Sequence, residues 1–175
     1  MKRRDLLSFA SRGALGALGS VGAAGLLSAC GFELRKEPVY HFKTLALTGF
    51  IPHSPLAQEL RRQVQRSTVR LVEDPNRADV IIDAEREIRD KTSVATTAAG
   101  QITEWQLRLS LDYSLRSPGG DILLPRTELR LTRDMNYSES AALAKEQEEL
   151  ALQKAMQVEA VGLLMRRLAA VHLTN

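Results

Sequence analysis

Cysteine, histidine and clustered carboxylates carry much of protein chemistry, and this chain is sparing with all three. Its one cysteine is Cys30, and its three histidines are His41, His53 and His172. No histidine stands within metal-ligand spacing of another, so the sequence offers no metal site. Asp83, Glu85 and Glu87 recur at every second position, a spacing that suits a hard cation or acid/base work. No histidine accompanies them, and strand alternation alone puts a polar outer face at this spacing. We take them as a solvated strand face. A phosphate-cradling glycine loop, a Gly-x-Ser-x-Gly elbow and a His-Glu-x-x-His pair are all missing from the sequence. These residues describe a binding or assembly protein rather than an enzyme, with no cofactor.

Cys30 has a different setting. Lys2, Arg3, Arg4 and Arg12 precede a Leu/Ala/Gly run from Ala14 to Leu27, and small residues follow. That order is the order of an export signal. The run is shorter than the ~20 apolar residues that span a bilayer, and glycines interrupt it. Leu27-Ser28-Ala29-Cys30 resembles the lipobox cut by the lipoprotein signal peptidase. This makes 1–29 a signal peptide and Cys30 the first mature residue, carrying a covalent N-acyl diglyceride. Arg3-Arg4-Asp5-Leu6-Leu7 also resembles a twin-arginine export motif, and a generic positive segment accounts for the same residues. Gly31, rather than Asp, follows the cysteine, which by resemblance to enterobacterial lipoproteins points to the outer membrane. Residues 30–42 then read as a lipidated tether and 43–175 as a single α/β domain.

The net charge of +3 comes from the export segment. Segment 1–29 holds four Lys/Arg and one Asp, which leaves twenty residues of each sign in 30–175 and no net charge. The footprint of a nucleic-acid binder is therefore missing from the mature chain. With Cys30 acylated, no thiol remains for a disulfide, and packing alone must hold the fold.

Periodicity places the elements. Thr44 to Thr48 reads as a strand ended by Gly49. Ser54 caps a helix with Pro55 at its first position and Leu56, Leu60 and Val64 on one stripe. A short strand over Thr68–Val72 follows, then alternation from Asp79 with Val80, Ile82, Ala84 and Ile88 on one face. Residues 92–101 are small and polar and read as a mobile loop. Thr103 to Arg116 is the clearest strand, with Trp105, Leu107, Leu109, Leu111, Tyr113 and Leu115 sharing a face. Ser117–Asp121 turns it back into a strand through Met135. Ser138 to Val171 reads as one long helix, with Leu143, Leu150, Val161, Leu164, Leu168 and Val171 along one seam. The lengths of these strands and this helix predict an elongated domain of order β-α-β-β-β-α.

Opposed residues of a hairpin share a face, so paired numbers must have an even sum. A three-residue loop, Pro118 to Gly120, sets Leu109 against Leu129 and Asp112 against Arg126. It also brings Arg108 beside Arg130 on the outer face. Like charges side by side are destabilising. An anion or an acidic partner between Arg108 and Arg130, in an outer-face basic cluster that includes Arg126, is one resolution, and splaying of the side chains into water is the other.

With these residues laid out, the mature chain resembles the LPS-assembly lipoprotein family (LptE). The resemblance runs in order through Cys30-Gly-Phe-Glu-Leu-Arg35, the Leu56–Val64 helix, Ala78-Asp79-Val80, and Gly100-Gln101 ahead of Glu104-Trp105-Gln106-Leu107. It continues through Arg133-Asp134, Leu143-Ala144-Lys145-Glu146 and Leu164-Met165-Arg166-Arg167-Leu168. It implies two helices on one face of a four- to five-stranded, mixed and mostly antiparallel sheet. It further implies an outer-membrane lipoprotein, anchored in the periplasmic leaflet, that plugs the LPS-translocon barrel (LptD), helps it assemble and binds LPS. Of the basic positions tied to LPS in the family, one maps to Lys145. Another falls on Ala98 or Ala99, and Arg89, Lys91 and Arg133 are the candidates to replace it. The alternative is a lipoprotein subunit of another envelope machine, for barrel assembly or pili.

Overall fold

A computed structural model describes residues 38–173. The expected signal peptide 1–29 and Cys30 lie outside them. Strand β1 (Thr44–Thr48) leads into helix α1 (Pro55–Gln65), then a two-residue strand β2 (Arg70–Leu71) and a 3-10 turn. Three long strands follow: β3 (Val80–Thr96), β4 (Ile102–Arg116) and β5 (Ile122–Asn136). A second 3-10 turn opens helix α2 (Ala142–Ala169). The sheet order is β2-β1-β3-β4-β5, parallel around β1 and antiparallel from β3 onward. Both helices pack on one face, as expected. Among the described residues no helix is long and apolar enough to cross a membrane.

Local chemistry explains the starts of these elements. Ser54 Oγ accepts from the Ala57 N–H at 2.9 Å and donates to Glu87 Oε2 at 2.6 Å. It therefore caps α1 and ties it to β3 in one step. Asp79 Oδ2 accepts from the Lys43 and Thr44 N–H groups, both at 2.8 Å. Burial raises the Asp79 carboxyl, but these backbone donors and the Thr44 hydroxyl outweigh it and hold the group below its usual range. Leu56, Leu60 and Val64 of α1 and Met156, Ala160, Val161, Leu164 and Leu168 of α2 close over Val80, Ile82, Leu107, Leu109, Leu111 and Tyr113. Tyr113 is fully buried, and its hydroxyl accepts from Arg167 Nη1 at 2.7 Å.

The largest departure from expectation lies in β3. Its pairing with β4 slips between Ala84 and Arg86, leaving Glu85 as the extra residue of a bulge. Beyond the bulge the parity inverts. Glu87, Arg89 and Lys91 oppose Leu111, Leu109 and Leu107, on the helix face, and Ile88 and Asp90 turn to the open face. Gly49 makes the slip feasible. Its φ is +75°, and a Cβ there would stand 2.0 Å from the Ala84 carbonyl oxygen. Only glycine lets the chain after β1 pass so close to the bulge.

Three further expectations are corrected. Residues 92–96 belong to β3 rather than to a loop, because Thr92, Ser93 and Ala95 pair with Gln106, Trp105 and Glu104. The turn shrinks to Thr97–Gln101, closed by Thr97 N–H to the Gln101 carbonyl at 2.8 Å. In the second hairpin the three-residue-loop register holds only at Arg116–Ile122. Two shifts beside Leu115 then set Leu109 against Leu131, Asp112 against Glu128 and Arg108 against Thr132. The even sum survives, but Arg108 and Arg130 do not meet. Finally, the Leu143–Leu150 half of the helix seam is not core. Leu143 is 74% exposed and Leu150 62%. The inward stripe there is Lys145, Glu149 and Gln153, which faces the cationic row of β3 instead of an apolar one.

Candidate ligand-binding site at the hairpin end

The bulge in β3 builds the site. It sends Arg89 and Lys91 beneath the first half of α2, where Glu149 accepts from Lys91 Nζ at 2.5 Å. Lys145 lies one turn earlier on the same stripe, since residues four apart share a helix face. Its Nζ donates to Glu148 at 2.7 Å. Arg89 Nε stands 3.4 Å from Glu87 Oε1, an ion pair without hydrogen-bond alignment. Between helix and sheet a cavity of about 150 Å³ is bordered by Arg89, Lys91, Leu107, Leu109, Gln153 and Met156. Its floor is apolar and its rim cationic.

A larger cleft of about 730 Å³ opens beside it, between the β3–β4 turn and the segment that starts α2. Trp105 and Tyr137 line it. Their rings meet edge to face at 6.3 Å and 81°. Lys91 Nζ sits 4.6 Å from the Trp105 ring centroid, so one lysine borders the small cavity and touches the large one's aromatic wall. Its surroundings therefore combine positive charge, aromatic surface and hydroxyl groups.

The structure thus brings Lys91 and Arg89 together at the small cavity, and Lys145 lies one helical turn from Glu149, the partner of Lys91. Arg133 lies across Leu107 from Lys91, two strands away on the same face. It pairs with Glu159 at 2.5 Å, and Glu159 lies about 21 Å further along α2 than Lys145 at 1.5 Å per residue. Arg108, Arg126 and Arg130 stand on the open face, each with a carboxylate. Arg108 bonds Asp90, Arg126 reaches Asp112 at 2.7 Å and Glu85 at 3.0 Å, and Arg130 reaches Glu128 at 2.7 Å. Asp112 accepts from Arg126 and also pairs with Arg86 at 3.0 Å, and both hold its carboxyl below the usual range against the effect of burial. Asp90 in turn raises Arg108, and Asp112 raises Arg126. The outer arginines form an alternating ionic ladder rather than a gap awaiting an anion.

Sequence spacing missed two things. His41 and His172 stack at 4.4 Å between ring centroids, joining the start of the domain to the residues after α2. Among the described residues no group of three metal-ligating side chains forms. The aromatic wall was missed because it depends on the hairpin register: Trp105 pairs with Met135, and Tyr137, one residue past β5, continues the ladder opposite Thr103 and so lies diagonal to Trp105.

Comparison with known proteins bears on this arrangement. Residues 42–168 match the family model described as LptE, lipopolysaccharide-assembly. The chain belongs to the LptE family. It is 32% identical over 153 residues to the LPS-assembly lipoprotein LptE of Pectobacterium atrosepticum, covering 84% of this chain and 80% of that one. The Yersinia enterocolitica LPS-assembly lipoprotein LptE is 33% identical over 150 residues, covering 83% and 70%. The solution structure of lipoprotein B from Nitrosomonas europaea superposes with a TM-score of 0.68 at 26% identity, over 80% of this chain and 91% of that one. The family match spans every element from β1 to α2, so the β3 bulge and the cationic-aromatic cleft both lie within the LptE region.

Proposed function

We propose that this LptE chain is an outer-membrane lipoprotein that plugs the LPS-translocon barrel LptD, helps it assemble and binds LPS during transport and insertion. The signal peptide 1–29 is removed, and the N-acyl diglyceride on Cys30 holds the tether 30–42 in the periplasmic leaflet. The domain 43–175 does the recognition. Its role is non-covalent and needs no cofactor.

One observation carries the binding half of this reading: Lys91 and Arg89 border a cavity floored by Leu107, Leu109 and Met156, and Lys145 lies one helical turn from Glu149, the partner of Lys91. LPS presents phosphates on a sugar core joined to acyl chains. Cations beside apolar and aromatic surface match that combination, and charge-assisted bonds to phosphate are the strong kind. In the free chain Glu148 and Glu149 occupy Lys145 and Lys91. A phosphate that displaces them gains the lysines and leaves two carboxylates to solvent.

The experiment is LPS binding by the detergent-solubilised full chain, with wild type beside Lys145→Glu and Lys91→Glu. Each reversal removes a bond worth about 1.5–3 kcal/mol, a loss of roughly 10- to 100-fold in affinity. Unchanged binding by both variants refutes the siting.

A further inference from the structure

We propose that the cleft between the β3–β4 turn and the start of α2 is a saccharide-binding subsite, in which a pyranose ring packs into the corner made by Trp105 and Tyr137. The proposal rests on the reading that the ligand is LPS and assigns its sugar portion to particular residues.

The two rings stand 81° apart, one a floor and the other a wall. A pyranose has apolar C–H faces and a rim of hydroxyls, so it fits an apolar corner whose surroundings both donate and accept. The cleft supplies that rim from Thr97, Gln101, Thr103, Ser138 and Ser140, with the carboxylate of Glu139 beside them. Hydroxyl and amide groups serve as donor and acceptor at once, which matches sugar hydroxyls and suits phosphate poorly. The volume, about 730 Å³, lies in the range of small-molecule sites. The walls are fixed before any ligand arrives. The turn is closed by Gly100 N–H to the Thr97 carbonyl at 2.9 Å, and Tyr137 N–H binds the Thr103 carbonyl at 2.8 Å. Such order lowers the cost of binding. Trp105 also carries a buried indole N–H with no partner, a defect that a purely structural role for this residue does not explain. Lys91 Nζ lies over the Trp105 ring, 4.6 Å from its centroid, and puts one cation beside this corner.

Trp105 is the only tryptophan in the chain, so its emission reports on this corner alone. The full lipidated chain, in a detergent without a sugar headgroup, is titrated with de-acylated LPS and, separately, with inorganic phosphate. The expected result is a saturable change in Trp105 emission with the phosphorylated oligosaccharide and none with phosphate at equal concentration. Tyr137→Ala should weaken oligosaccharide binding about tenfold, the loss of one aromatic contact. Gln101→Ala, in the exposed turn, gives a second variant that does not touch the core, and it should weaken binding severalfold. Calorimetry reads Trp105→Ala, which should abolish oligosaccharide binding. If de-acylated LPS gives no saturable change while intact LPS binds and Lys145→Glu weakens it, the saccharide subsite is wrong and the LPS reading stands. An equal response to phosphate makes this an anion site and overturns the proposal. Failure of the wild type to bind intact LPS overturns both.

Discussion

Replacing Gly49 by alanine tests the contact that lets β3 change face. The added Cβ would stand 2.0 Å from Ala84 O, 2.9 Å from Ala84 C and 3.1 Å from Ala84 N. Ordinary contact is about 3.5 Å, so the two backbones must part by roughly 1.5 Å. Holding an L-residue at φ +75° costs about 1–2 kcal/mol. Overpacking against a backbone atom adds about 1–3 kcal/mol. The sum, about 2–5 kcal/mol, is a large part of the 5–15 kcal/mol available to a typical domain. Gly120 is the control, since its φ is +96° but no atom lies within 4 Å of its would-be Cβ. Gly120→Ala therefore bears the conformational cost alone. Thermal melts of the two variants should show Gly49→Ala unfolding roughly 5–10 °C below Gly120→Ala. If the two melt within about 2 °C of each other, the contact with Ala84 is not tight and the account of the bulge fails.

Other substitutions probe the remaining elements. Asp79→Asn should cost about 1–2 kcal/mol at pH 7, because Asp79 accepts two backbone N–H bonds as a charged group. Its folded pKa is lowered, so this stability is present above the unfolded value near 3.9 and is lost as pH falls through the folded one. The gap in urea midpoints between wild type and Asp79→Asn should therefore narrow as the pH falls below about 4. Tyr113→Phe removes the acceptor of Arg167 in a fully buried place, and denaturant unfolding should show a loss of about 1 kcal/mol. Leu143→Ser and Leu150→Ser should change stability by no more than about 0.5 kcal/mol, whereas Leu164→Ala should lose about 2–5 kcal/mol; equal effects would contradict the observed burial of α2.

Much of this fold was legible because local and tertiary preferences agree. Ser54-Pro55 starts α1, Leu56, Leu60 and Val64 face the core, and Tyr113 and the even-sum rule put the leucines of β4 inward. The failures in the sheet share one cause: a strand's phase depends on its partner, not on its own pattern. Glu85 reads as an ordinary alternating residue, yet a single extra residue there reverses the facing of Glu87, Arg89 and Lys91. The same holds beside Leu115, where two shifts move the hairpin register. Of the candidate site, Lys145 came from the family resemblance, with Arg89, Lys91 and Arg133 as candidates beside it, and the facing of Arg89 and Lys91 depends on the bulge. Leu143 and Leu150 misled because helical spacing reveals a stripe without saying which way it faces. The clue to Glu85 was indirect. Gly49, after a short strand, marked a close backbone approach with no sign of what it approached.

The most direct test of the LptE reading is to recover the lipidated chain from native membranes in mild detergent and weigh the complex it comes in. The account predicts a stoichiometric complex with the outer-membrane LPS-translocon barrel LptD, carrying LPS. Recovery in stoichiometric complex with another envelope machine, and without that barrel, would contradict it.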